Sequence, residues 1–231
     1  MNPILRNILL GITIIVVLYV IYYFLIRTEN LSKMNPGNKE IKIDSGKLAN
    51  NANSNNFAYS IWFYVSDWQY RLTESKDLVV RSQGDISNPH ISMAPYENNL
   101  NINISSISPG NKSNKNNCTI RNFPLQRWTH LLVSLNNRTL DVYLDGKLVR
   151  TCLTPGVPEI NTNSKIILSP DGGFSGFTSN ILHMTKSINP QQAYNIYRQG
   201  YGGSILGNLL SNYKLKLALY ENNVEKSSIM I

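Results

Sequence analysis

The stretch CTIRNFPLQRWTHLLVSLNNRTLDVYLDGKLVRTC, from Cys118 to Cys152, decides the fold. Residues 128–135 form a run of apolar and β-branched side chains that suits a strand. The dipeptide Asn136–Asn137 then supplies a turn. Leu140, Val142 and Leu144 alternate with Asp141 and Tyr143, the period of a strand with two different faces. Asp145–Gly146 closes a tight hairpin, because glycine adopts a positive φ without penalty. Residues 147–152 are the return strand. Three strands in thirty-odd residues, joined only by short turns, point to an antiparallel sheet.

The same pattern continues on both sides. FAYSIWFYV at 57–65 is apolar on both faces, as expected of a central strand with something packed on each side. Residues 78–81 and 90–95 are short strand candidates. Leu100, Ile102 and Ile104 alternate with Asn101, Asn103 and Ser105, giving one wet face. Residues 106–117, rich in Ser, Asn, Gly and Lys, read as a loop. Segments 164–169, 177–184 and 214–220 complete about ten strands, which favours a two-sheet antiparallel sandwich. One helix interrupts the series. Asn189 is a good N-cap, Pro190 suits the first helical position and Gly200 the C′ position. Ala193, Ile196 and Tyr197 recur between them at helical spacing.

The chain has 231 residues, of which 42% are hydrophobic and 16% charged. The mean hydropathy of −0.20 excludes a polytopic membrane protein. A formal charge of +8 permits contact with anionic surfaces without specifying one. The heavy use of Asn, Ile, Lys and Tyr reads as A/T-rich coding. The amino terminus differs from the rest. Residues 8–26 (ILLGITIIVVLYVIYYFLI) hold no charge, and Arg6 and Arg27 bracket them. At 1.5 Å per residue this run spans roughly 28 Å, close to the thickness of a hydrocarbon core. Tyr19, Tyr22 and Tyr23 suit its interfacial end. The run is longer than a signal-peptide core, and no small-x-small cleavage site follows. Residues 1–28 are therefore expected to be a single transmembrane helix, against the alternative of a buried soluble helix. Basic residues on both sides leave its orientation undecided. Residues 29–56 read as a polar linker, within which 41–43 is a candidate edge strand, and 57–231 as the sandwich.

Several short motifs fall in order along the sandwich. They are W-x-H (Trp128, His130), Y-x-D-G-K (Tyr143, Asp145, Gly146, Lys147), F-x-G-x-x-S (Phe174, Gly176, Ser179) and the closing helix. Together they resemble the laminin-G-like branch of the concanavalin A-like lectin/glucanase fold, over roughly residues 57–220. The resemblance implies a jelly-roll sandwich. The cysteine-bearing version behind an amino-terminal membrane helix also resembles virion proteins of large DNA viruses, where such modules are virion or capsid-associated.

The glucanases of that fold carry E-x-D-x-x-E on one strand, placing carboxylates on a shared face. No two glutamates here have that spacing. Asp141 and Asp145 share a strand face, but Asp145 belongs to the turn. His90, His130 and His183 are scattered and lack ligand spacing. No acidic cluster marks a calcium site, and no Gly-rich phosphate loop leads from a strand into a helix. The expectation is no enzyme, no metal and no cofactor.

Cys118 and Cys152 are the only cysteines, and both lie in the matching stretch. A bridge would close a 34-residue loop, and two reduced buried thiols are the alternative. Trp68 and Tyr70, just after the first strand, are candidate glycan contacts, with packing over the core rim as the alternative. The sequons at Asn30, Asn103, Asn111, Asn117 and Asn137 are about as many as chance supplies in so Asn-rich a chain. Lys112, Lys115, Arg121, Arg127, Arg138, Lys147 and Arg150 surround the cysteine hairpin as an anion-facing patch or a solvated rim. They lack the interleaved aromatics of a nucleic-acid groove, so no nucleic-acid partner is expected.

The reading that results is a single-pass membrane-anchored structural or interaction protein. Its expected setting is a virion, as a minor capsid or inner-membrane component that tethers the membrane to a protein shell. The expected partners are lipid and capsid proteins. The alternative is a surface carbohydrate-binding adhesin.

Overall fold

A computed structural model describes residues 11–19, 34–48, 56–84, 86–108, 112–159, 163–202, 216–221 and 224–230. The strands in chain order are β1 (Asn35–Pro36), β2 (Ile41–Ile43), β3 (Phe57–Asp67), β4 (Lys76–Gln83), β5 (Ile86–Met93), β6 (Leu100–Ser108), β7 (Lys112–Ile120) and β8 (Trp128–Asn136). They continue with β9 (Thr139–Leu144), β10 (Lys147–Leu153), β11 (Val157–Pro158), β12 (Ile166–Leu168), β13 (Ser175–Met184), β14 (Lys216–Glu221) and β15 (Val224–Met230). Sheet A has the order β1-β13-β3-β8-β9-β10. Sheet B has the order β11-β6-β5-β4-β12-β2, with β7 also paired to β6. Every pairing is antiparallel, and β14–β15 form a separate two-stranded sheet. The expected all-β, two-sheet antiparallel sandwich is what forms.

The core lies between the sheets. Ile61, Phe63 and Val65 of β3 and Leu131, Val133 and Leu135 of β8 meet Leu78, Ile91, Met93, Ile102 and Ile104 from sheet B in one buried cluster. The two-faced apolarity of residues 57–65 has a second cause on the other side of sheet A. The helix Pro190–Arg198 covers that face, and Ala58, Leu132 and Tyr143 pack with Ile188 and Ala193 beneath it. Asn189 caps the helix as its sequence implies. Its side chain accepts from Gln192 N, and Gln192 Oε1 accepts from Asn189 N, a complete capping box. Gly200 at φ +71° ends the helix, and its carbonyl accepts from Asn180 Nδ2.

Two segments differ from the expectation. Most of the segment 106–117 is not a loop, because β6 runs to Ser108 and β7 begins at Lys112, with residues 109–111 outside the described ones. Their polar composition reflects an edge strand; between 116 and 120, where burial is described, the inward positions Cys118 and Ile120 are the buried ones. The segment expected as linker contributes edge strands to both sheets. β1 pairs with β13 in sheet A and β2 with β12 in sheet B, and Ile43 and Leu48 are buried. Of the apolar run 8–26, only 11–19 is described. It is helical, with Ile12, Ile14, Ile15 and Leu18 exposed. Among the described residues no helix is long and apolar enough to cross a membrane. The rest of the expected anchor lies outside the described residues.

Candidate functional site

Cys118 on β7 and Cys152 on β10 form a disulfide with Cα atoms 6.0 Å apart. These strands belong to different sheets, so the bridge ties the free edge of sheet A to the edge of sheet B. Arg150 donates to Thr119 O at 2.8 Å and Asn116 Nδ2 to Leu153 O at 3.1 Å across the same seam. A shallow cleft of about 430 Å³ opens there, lined by Ile120, Arg121, Leu144 and Arg150 among others. Two further basic residues of this region are engaged elsewhere. Arg127 pairs with Asp145, and Arg138 caps the carbonyls of Thr154 and Pro155.

Trp68 and Tyr70 sit at one end of the sandwich, each held by a different loop. Trp68 packs edge-on to Phe123 at 5.8 Å, donates Nε1 to Tyr96 O, and carries the Lys76 ammonium 4.3 Å from its ring centre. Burial and the nearby Arg71 hold the pKa of Lys76 below the ordinary lysine value. Tyr70 donates to Gly172 O at 3.0 Å, and Arg71 donates to the carbonyls of Asp171 and Gly173. Three successive carbonyls thus converge on one hydroxyl and one guanidinium, which welds the 170–173 turn to the 68–74 loop. Both aromatic side chains do structural work at this rim.

The titratable groups are also engaged. His130 is fully buried on the outer side of sheet A, with Nε2 2.8 Å from Ser60 Oγ and its ring between Trp62 and Tyr197. Burial pushes its pKa down to about 3. His183 lies against Tyr59, and burial with the Arg81 charge lowers it to about 4. His90 pairs with Asp77 at 2.8 Å. Asp145 accepts from His130 N and binds Arg127, and Asp141 accepts from Thr151 Oγ1. Among the described residues, no three His, Cys, Asp or Glu side chains are grouped to hold a metal ion.

Two surfaces escaped the sequence reading. The first is the outer face of sheet B. His90 stands opposite Asn103, Asn103 opposite Asn117, and Asn101 opposite Thr119. Thr119 Oγ1 donates to Asn101 Oδ1 at 2.9 Å. This is a rigid, half-exposed field of amide, hydroxyl and imidazole groups. Its signal was present in the alternation of Asn101 and Asn103 with Leu100, Ile102 and Ile104. The β7 half was hidden by its loop-like composition. The second surface is a cross-strand row on the outer face of sheet A. Phe177 stands opposite Tyr64, and Tyr64 opposite Trp128. Tyr201 stacks on Trp128 at 4.7 Å with the rings 4° apart. Nothing in the local sequence brings these four residues together; the register of three strands aligns Phe177, Tyr64 and Trp128, and the turn after the helix adds Tyr201.

A family profile described as the Concanavalin A-like lectin/glucanases superfamily matches residues 35–185. Its start coincides with β1. Among curated protein sequences none matches this chain. Solved structures with this fold include the receptor binding domain of botulinum neurotoxin D, at 12% identity and a TM-score of 0.56, covering 71% of this chain and 42% of that one. The binding domain of botulinum neurotoxin DC in complex with rat synaptotagmin II matches at 12% identity and a TM-score of 0.54, covering 71% and 43%. The receptor binding domain of the C/D mosaic serotype matches at 11% and 0.51, covering 64% and 39%. This chain spans less than half the length of each.

Proposed function

The chain belongs to the Concanavalin A-like lectin/glucanases superfamily, and from that membership we propose that it is a membrane-anchored interaction protein that binds a partner without transforming it. The observation that carries this reading is the outer face of sheet B. His90, Asn101, Asn103, Asn117 and Thr119 are held in strand register on a disulfide-tied scaffold. Such a face offers fixed donors and acceptors to a polar surface, which is what recognition needs. Asp141 and Asp145, the carboxylates with a shared strand face, are occupied by Thr151, Arg127 and the His130 amide. That arrangement supports binding over hydrolysis.

The setting we propose is a virion, with the uncharged run 8–26 in the membrane and the polar face directed at a protein shell. A second reading, a surface adhesin, places a glycan on the same face. Amide and hydroxyl groups suit sugar hydroxyls equally well, and the receptor-binding domains with this fold supply an analogy at the level of fold only. A photo-cross-linker at Asn103 in the full chain separates the two. Capture of capsid proteins supports the first. Glycan-array binding that is lost in Asn101→Ala and Asn103→Ala supports the second. Hydrolysis of β-glucans that disappears in Asp141→Asn would overturn the non-catalytic reading. The anchor has its own test: the full chain should stay with membranes after a carbonate wash, and a chain beginning at residue 34 should not.

A further inference from the structure

We infer that the aromatic row on the outer face of sheet A, beyond the end of the helix Pro190–Arg198 that packs on the same face, lies against a lipid bilayer, so that the sandwich rests on the membrane instead of hanging from it. This rests on the membrane-anchor reading and adds to it the face and the contact.

The first argument is chain length. The apolar run ends at Ile26, and β1 begins at Asn35. The eight residues between them, 27–34, can span at most about 28 Å even when fully extended. The sandwich that follows is about 40 Å across for its length. A tether shorter than the body it holds leaves that body no freedom to turn its far side to the bilayer. The edge bearing β1 stays within about 28 Å of the bilayer, and the side chains near that edge decide which face meets it.

The second argument is what lies on that side. β1 is the edge strand of sheet A, and Pro36 pairs directly with Phe177. The aromatic row starts there and runs inward through Tyr64 and Trp128 to Tyr201. Phe177 is 43% exposed, Tyr201 40%, and Met34, just before β1, 52%. Large apolar side chains left contiguous on a surface mark an interaction site. Tyr and Trp are the side chains that prefer the headgroup level of a bilayer, where an apolar ring and a polar edge are both accommodated.

The third argument is the contrast with the opposite face. On the outer face of sheet B, His90, Asn101, Asn103, Asn117 and Thr119 stand in register, and the exposed apolar side chains Ile107 and Val157 are confined to its β6–β11 edge, with no aromatic row. A bilayer on sheet A leaves that polar face pointing away from the membrane, where a partner can reach it.

The experiment uses the full chain with its native disulfide, reconstituted in phosphatidylcholine vesicles that contain headgroup-nitroxide phosphatidylcholine. A single fluorophore is placed at Phe177→Cys, or at Asn103→Cys on the polar face. Both side chains point outward, so neither substitution disturbs the core. The label at 177 should be quenched several-fold more strongly than the label at 103. Equal quenching at the two positions, in a chain that still resists a carbonate wash, would overturn the proposed contact while leaving the anchor intact. A chain released by carbonate would remove the anchor reading and this inference with it. A label at 177 that responds to a soluble glycan and not to nitroxide lipid would also overturn it, in favour of a sugar-binding face.

Discussion

Lowering the pH from 7 to 5 should destabilise the sandwich through His130. The side chain is fully buried, and burial depresses its pKa to about 3. In the unfolded chain the imidazole titrates near the ordinary value of about 6.5. A group with a depressed folded pKa that charges by taking up a proton behaves as follows. Above pH 6.5 both states are neutral and its contribution to stability is complete. Between 6.5 and 3 the unfolded state holds the extra proton, so stability falls as pH falls. At 1.36 kcal/mol per unit, the loss is about 2 kcal/mol between pH 7 and 5 and about 3 kcal/mol by pH 4. Denaturant unfolding in detergent, followed at a series of pH values, reads this directly. His130→Gln, which keeps a donor and an acceptor, should lose about 2 kcal/mol less than the parent over the same interval. His183 is common to both proteins and cancels. Parallel pH curves would refute the reasoning. So would a His130 imidazole resonance that titrates near 6 in the folded chain, a check that needs no variant.

Reduction, or Cys118→Ser or Cys152→Ser, should cost about 2–4 kcal/mol, since a 34-residue loop is released, and the double change should cost no more than either single one. Peptide mapping under non-reducing conditions tests the bond, and denaturant midpoints test the cost. Gly176→Ala should abolish the fold or cost more than about 3 kcal/mol, because its Cβ would lie 1.8 Å from Tyr64 O at a φ of +150°. Soluble yield and circular dichroism report it. Trp68→Ala should lower stability by about 2 kcal/mol, through the lost Phe123 and Lys76 contacts, and leave partner binding unchanged; a binding loss at unchanged stability would restore Trp68 as a ligand contact.

What could be read from the sequence was what local chemistry decides. Asp145 and Gly146 both take positive φ, at 48° and 74°, as a hairpin turn of that composition requires. Asn189, Pro190 and Gly200 mark a helix whose ends are set by capping bonds within a few residues. β7 could not be read, because an edge strand buries few side chains and its Asn and Lys residues look like a loop. β2 was legible as the edge-strand candidate 41–43, whereas β1 is only two residues long, too short to show a period. They exist because edges were already waiting for them in β13 and β12. The aromatic row is the extreme case. Tyr64, Trp128 and Phe177 are far apart in sequence, and only strand register makes them neighbours.

The segment that carries β1 and β2 is fixed to the sandwich by close backbone contact. Gly37 N donates to Gly176 O at 2.7 Å, and Phe174 N donates to Gly37 O at 3.0 Å. A side chain at Gly37 would strike Phe174, and one at Gly173 would strike Gly37 O. Backbone meets backbone here with no room between, and β1 and β2 then clasp one edge of each sheet. Such a joint transmits orientation in a way that a flexible spacer cannot. A protein whose task was only to display a binding head at a distance would gain nothing from it. The proposed placement of one face on a membrane and the opposite face toward a partner would rest on this joint, and Gly37, Gly173 and Gly176 are the positions in it where a side chain would clash.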